Sequence, residues 1–171
     1  MIDIGAFVTK ILDKLPIVEL WQTRTSARFE HDKKKFDELD KLISEVTLES
    51  ILDEAYRQRV ERSSLEPISR YLEWEKLSSN QFLINKIRQS QLSFNARLRI
   101  FRDCLSANLF TVDDDPGYLH FRPDQNPSRG RTAEEDRKLF EDRVIELDHT
   151  ITQCETAYRT FRATIKKHLY V

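Results

Sequence analysis

The chain is predicted to be all-α: an antiparallel helical bundle with two long heptad-patterned helices and a small β-hairpin inserted between them. Three observations lead there. Phe140, Val144, Leu147, Ile151, Cys154, Tyr158, Phe161 and Ile165 alternate four and three residues apart without a break, the coiled-coil seam of one long helix. A second seam precedes it: Ile84, Ile87, Gln91, Phe94, Leu98, Phe101 and Leu105. Only three glycines and five prolines occur in 171 residues, so the chain has little of the punctuation that turns and barrels need. Each seam needs a partner face, and their short connection predicts that they face each other. Phe94 is then expected opposite Val144, Leu98 opposite Phe140 and Ile87 opposite Ile151.

Taken in order, Ile4, Phe7, Val8, Ile11, Leu12 and Leu15 mark one face of an amphipathic helix over residues 2–15, with Asp3, Lys10, Asp13 and Lys14 opposite. Pro16 is expected to end it, since a residue before proline resists helical angles. Ile17 to Trp21 then reads as a short extended piece. Phe29, Phe36, Leu39, Ile43 and Val46 restore a helical period over 25–46. Thr47 is placed as the cap of a further helix whose apolar residues are Leu48, Ile51, Leu52, Ala55 and Tyr56.

Ser63 with Glu66 spells a capping box, while Ser64 would place Pro67 in the first helical turn, and both openings fit the next helix. Its apolar residues are Tyr71, Leu72, Trp74 and Leu77, and Ser78-Ser79-Asn80-Gln81 predicts a break. The first seam helix runs from about residue 81 to 108. Two β-prone runs, 109–112 and 118–121, flank Asp-Asp-Asp-Pro-Gly, where Asp-Pro-Gly-Tyr suits a type II turn. Residues 122–131 read as a loop. Thr132 and Glu135 form a capping box, Glu134 to Asp136 complement the positive end of the helix dipole, and Lys166, Lys167 and His168 complement the other end. The organisation expected is one helical domain over 1–171, with a distinct N-terminal segment (1–21) and a hairpin and loop (109–131).

Twenty-eight basic and 29 acidic side chains leave a net charge of −1, so no global field draws in nucleic acid or anionic lipid. The start, Met1-Ile2-Asp3, has no basic lead or small-residue cleavage site, and no uncharged run approaches a membrane span. A cytoplasmic location with two free thiols is expected. If the seams fold back about residue 119, Cys104 and Cys154 stand on the order of 30 Å apart and cannot bridge.

No glycine-rich phosphate loop, nucleophile constellation or metal-ligand spacing is present, so neither cofactor nor metal is expected. Asp113, Asp114 and Asp115 read as a solvated turn. Arg97, Arg99 and Arg102, and the loop arginines 122, 129 and 131, read as a salt-bridged surface rather than a nucleic-acid footprint. Gln91 interrupts an apolar seam, either as a register-setting buried amide or as a residue facing water where helices diverge.

Arg162 and His168 enclose five residues, a spacing that resembles the arginine–histidine motif of the all-α HEPN nucleases. The resemblance implies a metal-independent ribonuclease in which His168 moves a proton and Arg162 stabilises a developing phosphorane. Similar spacings recur at Arg24/His31 and Arg143/His149, so the pattern selects none of the three. Six residues of α-helix also leave Arg162 and His168 about 120° apart around the axis.

The function expected is therefore non-enzymatic: a protein–protein interaction or assembly subunit, working through helical and hairpin surfaces on a partner or a second copy. Phe110, Tyr118 and Phe121 are the candidate contacts, because apolar residues exposed on a projecting hairpin mark interfaces. The alternatives are the HEPN-like ribonuclease using Arg162 and His168, and a peripheral membrane adaptor using residues 2–21.

Overall fold

The computed structural model describes residues 16–123 and 131–169, with side chains from residue 25 onward. The amphipathic helix expected over 2–15 and most of the loop 122–131 lie outside the described residues. Within them the chain is mostly helical: α1 (Pro16–Leu42), α2 (Glu45–Tyr56), α3 (Glu66–Glu75), α4 (Asn85–Asn108) and α5 (Ala133–Leu169). Three short strands, β1 (Arg59–Glu61), β2 (Leu109–Val112) and β3 (Asp115–Phe121), form an antiparallel sheet in the order β1-β3-β2.

The N-terminal reading is corrected in one place. Pro16 stands at the start of α1, and Ile17 to Trp21 are helical rather than extended. Proline fits the first helical turn, where its missing N–H costs nothing. The α1–α2 corner falls at Ser44, whose hydroxyl accepts from the Thr47 amide at 3.1 Å, so Ser44 and not Thr47 caps α2. At the start of α3 neither serine caps the helix. The Ser63 hydroxyl donates to Glu61 and that of Ser64 to Glu54, while a 3-10 turn over Arg62–Leu65 leads in and Pro67 occupies the first turn.

The expected break before α4 is present as a 3-10 turn over Ser78–Asn80, and α1 holds it in place. Asp32 is fully buried, and its two oxygens accept the Leu83 amide at 2.7 Å and the Ile84 amide at 2.8 Å. Ile84 is the residue before the first turn of α4 and has no capping side chain of its own. One turn along α1, the Lys35 ammonium donates to Asn80, whose amide in turn donates to the Trp74 carbonyl at the end of α3. A single stretch of α1 thus ties the end of α3 to the start of α4.

α4 and α5 share the largest helix–helix contact and run antiparallel. Phe94 packs on Tyr158 at 5.0 Å and Phe161 at 5.9 Å between ring centres, and Arg97 donates to Gln153. The expected register is therefore wrong by two heptads: Phe94 meets Tyr158, fourteen residues beyond Val144. A heptad seam matches itself at every seven-residue shift, so the apolar pattern specifies which face is buried but not how far the helices slide. The same shift corrects the cysteine geometry. Cys104 lies against Thr150, only one turn from Cys154, and both thiols are buried and free. The overhanging first turns of α5 pack on the sheet instead, with Phe140 edge-on to Phe121.

Behind Phe94, on the α3 side, lies a polar ladder. The Tyr71 hydroxyl donates to Asn95 at 2.5 Å and also meets Gln91, Asn95 donates to Glu75 at 2.9 Å, and Arg99 pairs with Glu75. Gln91 is therefore a buried amide with a partner. Burial also pushes the Tyr71 hydroxyl well above its usual range, which keeps it a proton donor.

The hairpin reading is right in place and incomplete in form. The turn is Asp113-Asp114, and Pro116 and Gly117 belong to β3 at an irregularity in its pairing with β2. Proline is tolerated there because β1 reaches only Tyr118, leaving no ladder bond for residue 116 to supply. The third strand, β1, follows Gln58, whose φ of 59° turns the chain out of α2. Thr132 and Glu135 cap α5 reciprocally as expected: the Thr132 amide donates to Glu135 at 2.7 Å and the Glu135 amide to Thr132 at 3.3 Å.

Two substitutions test this core. Leu98→Ala should lower stability by about 2–5 kcal/mol in denaturant unfolding, because Leu98 is fully buried. Asp32→Ala should cost about 1–3 kcal/mol for each amide it strands, and Asp32→Asn, which keeps one acceptor oxygen, should cost less.

Candidate interaction surfaces

Arg162 and His168 occupy different settings. The Arg162 guanidinium is largely buried and pairs with Asp40 of α1 and Glu45 of α2, the latter at 3.5 Å, while lying 4.8 Å from the centre of the Phe36 ring. It clamps the α1–α2 corner onto α5. His168 is half-buried near the end of the same helix. Of the other two arginine–histidine spacings, Arg143 pairs with Glu146 and His149 meets Gln153, while His31 lies 3.1 Å from Asp32 and the side chain of Arg24 lies outside the described residues. Among the described residues, no group of three or more His, Cys, Asp or Glu side chains could hold a metal ion, and no helix is long and apolar enough to cross a membrane.

The arginines singled out from the sequence are engaged with neighbours. Arg99 pairs with Glu75, Arg102 with Asp103 and Arg131 with Asp136, while Arg97 bonds to Gln153. Arg129 lies outside the described residues.

The sheet sorts the candidate aromatics by strand alternation. On β3, Phe121 and Leu119 share a face with Val60 of β1, and this face turns inward, leaving Phe121 2% exposed. Tyr118 and His120 face the other way, with Arg59 paired to His120 on β1 and Phe110 paired to it on β2. Phe110 and Tyr118 are half-buried there, so of the three candidate contacts only these two reach the surface. The Arg59 guanidinium sits 3.6 Å above the Tyr118 ring and pairs with Asp115 at 2.8 Å, and His120 lies 3.0 Å from the same carboxylate. Partial burial raises the Asp115 pKa, but hydrogen bonds and positive charge from His120 and Arg59 outweigh it and hold the carboxyl below its usual range. Of the three aspartates, the first two form the exposed turn and the third is bound into this cluster.

A separate concavity lies elsewhere. α2 and α5 diverge around a groove of about 780 Å³, lined by Val46, Glu49, Asp53 and Tyr56 on one wall and Ile151, Thr152, Glu155 and Arg159 on the other. Val46 is 77% exposed and Tyr56 66%. Both were expected among the buried apolar residues. The break at Ser44 resets the helical phase, so the buried stripe of α2 is Leu48, Ile51, Leu52 and Ala55, and Val46 falls nearly opposite it. Val46, Glu49, Asp53 and Tyr56 then follow one another at i, i+3, i+7 and i+10 along an outward face. Ile145, 68% exposed, stands two turns before Thr152 on the same face of α5. The one sequence signal that could have exposed Val46 is Ser44 read as the cap.

Two measurements follow from this chemistry. Burial pushes the Cys154 thiol up to about 12 and also raises that of Cys104, so both should resist a thiol reagent at pH 8 in the native protein and react once it is unfolded. Because the Asp115 carboxyl is held low when folded, its contribution to stability is present at neutral pH and lost as the pH falls through the folded-state value. The melting-temperature gap between wild type and Asp115→Asn should therefore be widest near neutrality and close in acid.

The chain matches no known family model, no curated protein and no solved structure.

Proposed function

We propose that the protein is a non-enzymatic interaction or assembly subunit that presents helical and sheet surfaces to a protein partner. The observation that carries this reading is the α2–α5 groove, where Val46 and Tyr56 stand in solvent over the nearly buried Leu52 and Ile151. Uncovered apolar side chains at the mouth of a concavity with an apolar floor are what partner surfaces are made of. Phe110 and Tyr118 on the outer face of the sheet offer a second, smaller contact. The setting of Arg162 favours the same reading over nucleolytic chemistry. Its charge is already met by two carboxylates and it sits over the Phe36 ring, so it serves as a structural clamp.

The test is the mass of the native complex recovered with the wild-type protein and with two double variants, Val46→Ser/Tyr56→Ser and Phe110→Ser/Tyr118→Ser. A defined partner stoichiometry lost in the groove variant supports the proposal. Recovery of the wild-type protein alone, as a monomer, overturns it. Purified protein should leave RNA intact, and Arg162→Ala should lower the melting temperature. Metal-independent cleavage that disappears in a folded His168→Ala variant would favour the ribonuclease reading instead.

A further inference from the structure

We propose that the α2–α5 groove docks a basic amphipathic helix of a partner protein, an inference that rests on the interaction reading above and specifies its occupant. The argument joins shape, apolar pattern and charge. The outward face of α2 repeats at i, i+3, i+7 and i+10, and a helix laid alongside offers its own residues at the matching i, i+3 or i+4 and i+7 positions. Val46 and Tyr56 border a trough between two helices, and a peptide of 18 residues spans about 27 Å as a helix.

Charge then selects among helices. α2 lines the groove with Glu49 and Asp53 and carries not one lysine or arginine between Glu45 and Tyr56. Across the groove the α5 wall is neutral, its Glu155 and Arg159 pairing with each other at 2.7 Å. Glu45 is met by Arg162 and Asp53 by Arg57, the latter pair at 3.4 Å in solvent, where it is weak. The α2 side of the rim is therefore acidic beside an apolar floor, complementary to lysines and arginines flanking an apolar stripe. A second copy of the chain fits less well. Two-fold pairing through this groove would bring the carboxylates of one α2 near those of the other.

The probe is a fluorescein-labelled 18-residue peptide with leucines at i, i+3, i+4 and i+7 spacing and lysines at the flanking positions, read by anisotropy against the intact protein. A second peptide replaces every lysine by glutamate. The lysine peptide is expected to bind, to weaken with added salt, and to lose about ten-fold or more in Kd against Val46→Ser/Tyr56→Ser and, separately, against Glu49→Lys/Asp53→Lys. The glutamate peptide should bind at least about ten-fold more weakly to wild type and gain affinity for the lysine variant. All four substituted residues are exposed, so unchanged melting curves are expected to accompany these losses. Equal binding of both peptides, binding indifferent to the groove variants, or no binding of the lysine peptide overturns the basic-helix assignment. So does a dimer of the protein alone that Val46→Ser/Tyr56→Ser dissociates. The interaction reading fails separately, when the native protein is recovered without any partner.

Discussion

Asp32 is the constraint on which the arrangement of the helices depends. A carboxylate withdrawn from water is tolerated only where hydrogen bonds replace its hydration. Here both oxygens are committed, to the amides of Leu83 and Ile84, so the chain can enter α4 in one way. The entry point of α4 fixes where Phe94 sits, and Phe94 touches Tyr71 of α3 and both Tyr158 and Phe161 of α5. Lys35 and Asn80 secure the end of α3 from the same turn of α1. A few polar contacts from one helix thus place three others, while the aromatic cluster supplies nondirectional cohesion. Apolar packing alone would hold the helices at several registers of similar energy.

That degeneracy explains what the sequence could and could not convey. The two long helices, the break before the second, the capping box of α5 and the location of the hairpin are local properties, written in periodicity and in cap residues a few positions apart. Register is not local. Phe94 opposite Tyr158 and Phe94 opposite Val144 satisfy the same heptad rule, and the choice between them is made by Asp32, fifty residues upstream, and by a sheet closing the far end. β1 was invisible for a related reason. Three residues, Arg59–Glu61, become a strand only because β3 lies beside them, and the turn that brings them there uses Gln58 in a left-handed conformation more often given to glycine or asparagine. The candidate surfaces were legible in part. Strand alternation buries Phe121 and presents Phe110 and Tyr118, but which face turns inward depends on Val60 and Phe140, which no local pattern reveals.

Arg162 shows how one short spacing can carry two meanings. An arginine beside a histidine on a helix near the C-terminus fits a phosphate-binding pair as readily as a structural clamp. The distinction lies in what surrounds the guanidinium. Asp40 and Glu45 arrive from different helices, and the guanidinium carbon lies 4.8 Å from the centre of the Phe36 ring, so three neighbours within the fold orient the side chain. A group held in this way joins the α1–α2 corner to α5, and removing it would loosen the corner from which α2 starts.

The groove and the register have a common origin. Cys104 lies against Thr150, so α4 ends opposite the turn of α5 that carries Ile145. Before that point α5 leans on the sheet, and after it one side is covered by α4. α2, anchored at its first turn by Glu45 and Arg162, covers the other side only along its buried stripe of Leu48, Ile51, Leu52 and Ala55. The phase of that stripe is set by the cap at Ser44, and it turns Val46 and Tyr56 away from the core. Had α2 begun in phase with α1, Val46 would have continued the row of Phe36, Leu39 and Ile43. A corner that resets the helical phase, and a sheet that holds α5 two heptads along, together leave an apolar trough open beside the most acidic helix of the fold.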